Sequence, residues 1–223
     1  MAYILHIDTS GDTGIIALSN YGNILGSITN ADTRNHAASI NLHIEKVVTD
    51  AGITLQQVDA IAVCGGPGSY TGLRIGLATA KGLCYALDKP LMLQHRLLLL
   101  LLNEYYAQQT AFDSYNSMLI AREKEYYFAS YNNKLEILAE PQHILEENLQ
   151  DLLPQNNRKT LLVGDFTESA KKLFEQNGAT IIHKTAIDIK SWAIYAFEQY
   201  NASNFTNLAH SEPFYLKQVF THK

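Results

Sequence analysis

Twice along this 223-residue chain the hydrophobic period changes in the same order. Residues 2–8, 14–19 and 24–29 read as strands, the last two parted by the turn Tyr21-Gly22-Asn23. From Asn35 the apolar positions Ile40, Ile44, Val47, Val48 and Ala51 fall on one helical face. Asn35 is the expected N-cap and Gly52 the expected C′ residue. A strand at 58–64, a helix at 71–87, a strand at 91–94 and a helix at 95–107 follow. The second half repeats the series. Strands are expected at 117–122, 125–131 and 134–139, then a helix at 144–153 stopped by Pro154. A strand at 160–163, a helix at 167–177, a strand at 179–183 and a helix at 188–200 complete it. The order βββαβαβα, occurring twice, predicts an α/β fold of two lobes with mixed sheets covered by helices. The expected lobes are 1–108 and 109–223, with a ligand cleft between them.

Composition narrows the function. Hydrophobic residues make up 47% and charged residues 17%, values of a chain with a packed core. Net charge is −5 with no run of Lys and Arg, which argues against direct gripping of a nucleic-acid backbone. The six leucines 97–102 are far short of the about 20 apolar residues of a membrane span. The N-terminal residues read as a strand and not as a leader. Cys64 and Cys84 form no C-x-x-C pair, so buried thiols in a reducing, cytoplasmic setting are expected.

The stretch 64-CGGPGSYTGLRIG-76 carries the most specific signal. It is not a P-loop, because no lysine follows Gly66 and Gly68 at the required place. It is not a dinucleotide fingerprint either, since the sixth place from Gly66 is Thr71. Ser69 lies in G-S-Y-T-G, not in the nucleophile elbow G-x-S-x-G. The backbone amides that open the helix remain a candidate anion site. Gly72, Gly76, Ala80 and Cys84 recur every four residues as a stripe of small side chains. Such a stripe admits close approach of another backbone. That backbone belongs either to the chain's own sheet or to a second subunit, and the spacing fits both.

Asp8, Thr9, Ser10 and Asp12 form the other candidate site. They have the chemistry to hold Mg²⁺ near a phosphate, and equally that of a turn bonding its own backbone. A stand-alone ATPase or small-molecule kinase using Asp8 is the alternative function they allow. His36 and His43 lie seven apart on one helix face, and no metal site is expected.

The stretch 65-GGPGSYTGLRIGLATAKGL-83 resembles the signature of the TsaB (formerly YeaZ) family. The likeness extends to 7-IDTS-10, Arg34 with His36, 52-GITLQQVDAIAV-63 and 90-PL-91. In the second half it takes in 121-AR-122 with Glu125-Tyr126, 163-VGD-165 and 213-PFYLK-217. The resemblance implies the actin, Hsp70 and sugar-kinase (ASKHA) fold. It also implies a part in making threonylcarbamoyladenosine on tRNAs that read codons starting with A. In that family the catalytic subunit is the homologue TsaD, and TsaE is a small ATPase that joins the two. TsaB itself is implied to be a partner without catalytic residues, reaching tRNA only through the complex. It is expected to form a homodimer when alone. No cofactor is expected of the chain alone, and ATP or ADP is expected, where present, at the complex interface. TsaD-like metal sites need two histidines four apart after the first lobe's last strand, whereas His95 stands alone. The helices at 36–51 and 71–87 resemble those that dock the partner, which makes His36, Ile40, Ile44, Val47, Gly72, Arg74, Ile75, Gly76 and Ala80 the expected docking residues. The chain departs from the family at Ile120, where Asp is frequent, at Phe166, where Gly is usual, and at Lys217, where Arg is common.

Overall fold

The computed structural model describes residues 1–31, 36–154 and 158–216. Ten strands and five α-helices are defined among them. In the first half these are β1 (Tyr3–Asp8), β2 (Gly14–Asn20), β3 (Asn23–Asn30), α1 (His36–Asp50), β4 (Ala60–Cys64), α2 (Tyr70–Leu87), β5 (Leu91–Gln94) and α3 (Arg96–Ala107). In the second half they are β6 (Ser114–Arg122), β7 (Glu125–Asn132), β8 (Ile137–Leu145), β9 (Thr160–Gly164), α4 (Glu168–Gln176), β10 (Ala179–His183) and α5 (Ile189–Asn201). The two sheets have the orders β3-β2-β1-β4-β5 and β8-β7-β6-β9-β10, so the duplication read in the sequence is a duplication of topology. In each, the first three strands form an antiparallel meander and the remaining pairings are parallel.

Two compact units divide the chain elsewhere than at residue 108. One takes Met1–Arg96 and Asp188–Phe214, the other Leu97–Ile187. The cause is apolar cover. In the first unit, Leu5 and Ile7 face a core closed by Ile40, Ile44, Val47 and Val48 of α1 and by Leu77, Ala80 and Cys84 of α2. The alternate face of β1 presents His6, which meets Trp192 of α5 edge-on at 5.0 Å. The indole N–H donates to the Gln94 side chain. Hence α5, last in the chain, belongs to the first unit. In the second unit all six leucines of α3 are buried, the Ser117 hydroxyl donates to the Leu97 carbonyl, and Tyr105 packs edge-on against Tyr115 at 5.4 Å. The opposite face, with Met118, Phe128 and Leu162, is closed by Ala170 and Phe174 of α4.

Local chemistry sets the ends of these elements. Tyr21 and Gly22 both have positive φ, 49° and 76°, the requirement of a two-residue hairpin turn that follows the strand twist. Ser69, Thr167 and Asp188 cap α2, α4 and α5 by accepting from Gly72, Ala170 and Ser191 amides. The cap expected at Asn35, and the matched Arg34 and Lys217, lie outside the described residues. The helix expected at 144–153 does not form. Strand β8 runs on to Leu145, paired with Glu125, and a 3-10 run occupies Glu146–Leu152. The ladder captured the start of the apolar period, and the eight residues left before Pro154 are too few to sustain an α-helix.

Candidate functional site: the glycine turn and the outer face of α1 and α2

The end of β1 and the start of α2 are interlocked. Thr9 Oγ1 donates to the Gly72 carbonyl at 2.6 Å. Ser69 N donates to the Ser10 carbonyl at 2.8 Å. A Cβ at Gly68 would fall within 3.0 Å of the Ser10 carbonyl, one at Gly72 within 3.0 Å of the Thr9 carbonyl oxygen, and one at Gly76 within 3.0 Å of Thr9 Oγ1. Glycine is required there because α2 lies directly on the Thr9-Ser10 backbone. Cys64 Sγ donates to Ser10 Oγ at 3.4 Å, and burial drives its thiol pKa far up. The Arg96 guanidinium reaches the carbonyls of Ser10 and Pro67.

Several polar groups of the turn are engaged within the chain. Asp8 is 4% exposed and its carboxylate accepts from Ser10 N at 2.8 Å, an Asx turn. Three amides at the start of α2 are already bonded: Ser69 N to Ser10, Gly72 N to the Ser69 hydroxyl and Leu73 N to the Ser69 carbonyl. The space beside Asp8 and Thr9, bounded by Ile16, Asn30, Ile40 and His43, is about 10 Å³, which at most admits one water. Asp8, Thr9 and Ser10 act as the seat of α2, while Asp12 is exposed further along the loop. Ser69 is a helix cap. Among the described residues no three His, Cys, Asp or Glu side chains group closely enough to hold a metal ion.

The nine expected docking residues separate sharply. Ile40, Ile44, Val47, Gly72, Gly76 and Ala80 are buried in their own unit, against β1 and the core, so they are not the surface a partner meets. Ile75 is half-buried against the same core. The side chain of His36 lies outside the described residues. Arg74 alone is exposed, its guanidinium 4.1 Å above the Tyr70 ring.

The outward face carries a different set. Arg74, Ala78, Gly82 and Ala86 repeat every four residues along exposed α2, and a Cβ at Gly82 would meet nothing within 4 Å. Tyr85, 84% exposed, stands on this face, and Leu42 on neighbouring α1 is 64% exposed. Ala78, Gly82 and Ala86 thus form a second stripe of small residues open to solvent, with Tyr85 beside it. The spacing of four pointed to the inward stripe, and this outward one was missed.

The duplicated sheet order and this seated helix define an α/β protein of the actin, Hsp70 and sugar-kinase class. The family model described as TsaD, tRNA N6-adenosine threonylcarbamoyltransferase, matches residues 23–208. The tRNA threonylcarbamoyladenosine biosynthesis protein TsaB of Bacillus subtilis is 30% identical over 176 residues, 77% of this chain and 75% of that protein. A Pseudomonas aeruginosa crystal structure, described as similar to peptidase YeaZ, superposes with a TM-score of 0.79 at 22% identity, covering 97% of this chain and all of the other. A ROK family protein from Streptococcus pneumoniae shares the fold at a TM-score of 0.54 and 11% identity, over 90% of this chain and 99% of that one. The chain belongs to the TsaB family, within the wider group that the threonylcarbamoyltransferase model describes. No helix among the described residues is long and apolar enough to cross a membrane.

Proposed function

We propose that this chain is the non-catalytic partner of a TsaD-type catalytic subunit in tRNA threonylcarbamoyladenosine synthesis. The carrying observation is the open stripe Arg74, Ala78, Gly82 with Tyr85 and Leu42, on the two helices that family resemblance assigns to docking. Small residues let a partner helix approach, and the exposed Tyr85 and Leu42 supply apolar area to bury. The use of the Asp8 turn as a seat for α2 supports a role without independent phosphoryl chemistry. We assign any requirement for ATP or ADP to the subunit contact, and tRNA contact to the complex. The same face serves homodimerisation of the isolated chain, so TsaD and a second copy compete for it. A TsaE-type ATPase completes the assembly.

Reconstitution tests this. tRNA, threonylcarbamoyl-adenylate and the TsaD and TsaE proteins of the same organism are combined with and without the chain, and modified adenosine is quantified by mass spectrometry. The expected result is product formation that depends on the chain. Equal product in its absence, with active TsaD, overturns the reading.

A further inference from the structure

The second unit holds a cavity of about 340 Å³ that the docking reading leaves unused. It opens where β6 and β9 begin: Ser114 and Thr160 are their first residues and pair in register. Further along β6 this sheet face is dry, with Met118 and Phe128 paired beneath α4. Over its last two rows it turns polar. Asn116 pairs with Ser130, and Ser114 with Thr160, and all four are buried. A polar floor under apolar walls is costly to leave incompletely bonded.

Part of that floor is bonded within the protein. Ser114 and Thr160 hydroxyls share a bond of 3.0 Å, and Asn116 Nδ2 donates to the Leu161 carbonyl at 2.9 Å. Besides that bond, Asn116 carries a second amide hydrogen and an amide oxygen. Ser130 is 8% exposed and lines the cavity. The walls are Phe128, Leu138, Leu152, Leu153 and Pro154. Asp151 and Arg158, both exposed, also line it, one charge of each sign.

We propose that this cavity binds a small neutral polyhydroxylated molecule of about monosaccharide size. The volume is at the lower end of ligand sites. Its floor offers uncharged donors and acceptors in the manner hydroxyl groups require. Phe128 and the leucines suit the C–H faces of a ring. The lining carries one charge of each sign, which gives no preference for an anion. The site rests wholly on the second unit and is independent of the docking face.

The test is ligand-observed saturation-transfer NMR on the full chain with D-ribose, D-glucose and glycerol as probes, and with D-ribose 5-phosphate as the anionic control. At least one neutral probe is expected to bind saturably in the millimolar range. Ser130→Leu, which fills the floor, and Ala139→Phe, which narrows the partly exposed wall, are each expected to weaken it at least tenfold. The two variants guard against misfolding of either one, and retained cooperative melting qualifies each result. Absence of saturable transfer from every neutral probe overturns the proposal. So does binding unchanged in both folded variants, or ribose 5-phosphate binding tenfold tighter than ribose.

Discussion

The hydroxyl of Thr9 donates to the carbonyl of Gly72 at 2.6 Å, while a Cβ on Gly72 would strike the Thr9 carbonyl oxygen. The two residues are 63 positions apart and hold β1 and α2 at backbone contact. Gly72→Ala is therefore expected to destabilise the fold by about 3 kcal/mol, the upper range for overpacking a core. Urea denaturation read by circular dichroism measures it. A loss under 1 kcal/mol would show that α2 shifts easily from its seat.

Thr9→Val keeps the side-chain shape and removes the donor. The buried Gly72 carbonyl then loses that partner, at an expected cost of about 1–2 kcal/mol. Thr9→Ser, which keeps the hydroxyl, is expected to recover part of that loss. Equal stability of the two variants would deny the bond its role.

Gly76 and Gly82 should respond oppositely to a bulky charged residue. Gly76→Glu collides with Thr9 and is expected to yield unfolded protein. Gly82→Glu enters open space and is expected to leave the melting temperature nearly unchanged. On the proposed docking face, Gly82→Glu and Tyr85→Glu are expected to weaken TsaD binding and self-association at least tenfold, about 1.4 kcal/mol or more. Titration calorimetry and light scattering read the two effects. Wild-type affinity in both variants would remove the face.

Acid should destabilise the first unit through its histidines. Burial lowers the pKa of His6 from 6.5 to about 3 and that of His95 to about 4. Both stay neutral in the folded chain while the unfolded chain takes up protons below pH 6.5. Stability is therefore full above that value and falls as pH drops towards 4. The slope is about 1.4 kcal/mol per pH unit for each histidine. His6→Gln is expected to remove about half of it. Denaturation midpoints compared between pH 7.5 and 5 test this, and an identical fall in wild type and variant would refute it.

Both thiols should be silent in the native state. Cys84 is buried with its pKa raised to about 12, and Cys64 is buried too, with its pKa raised further still. Ellman's reagent at pH 8 is expected to label neither until urea unfolds the chain. Rapid labelling of one native thiol would contradict the packing of α2 against β1 and β4.

The order of elements was legible because hydrophobic period is a local property. The strands of β1, β4 and β9 and the helices α2 and α5 lie within a residue or two of where their patterns place them. The 3-10 run at Glu146–Leu152 was not legible, since its leucines keep a helical spacing and only the β7–β8 ladder reveals how few residues remain. Nor was the boundary at Arg96–Leu97. The leucines of α3 announce burial without naming the sheet that buries them.

The candidate site shows the same limit most clearly. Spacing of four identified Gly72, Gly76 and Ala80 as one face of a helix but not which way that face turns. By itself the sequence determined the duplicated α/β order, the glycine turn and the family resemblance. Only the tertiary structure decided which stripe of α2 rests on Thr9 and which is left open to a partner. Periodicity sets angles between residues around a helix axis, but the direction in which the helix faces is set by contacts with residues more than sixty positions away.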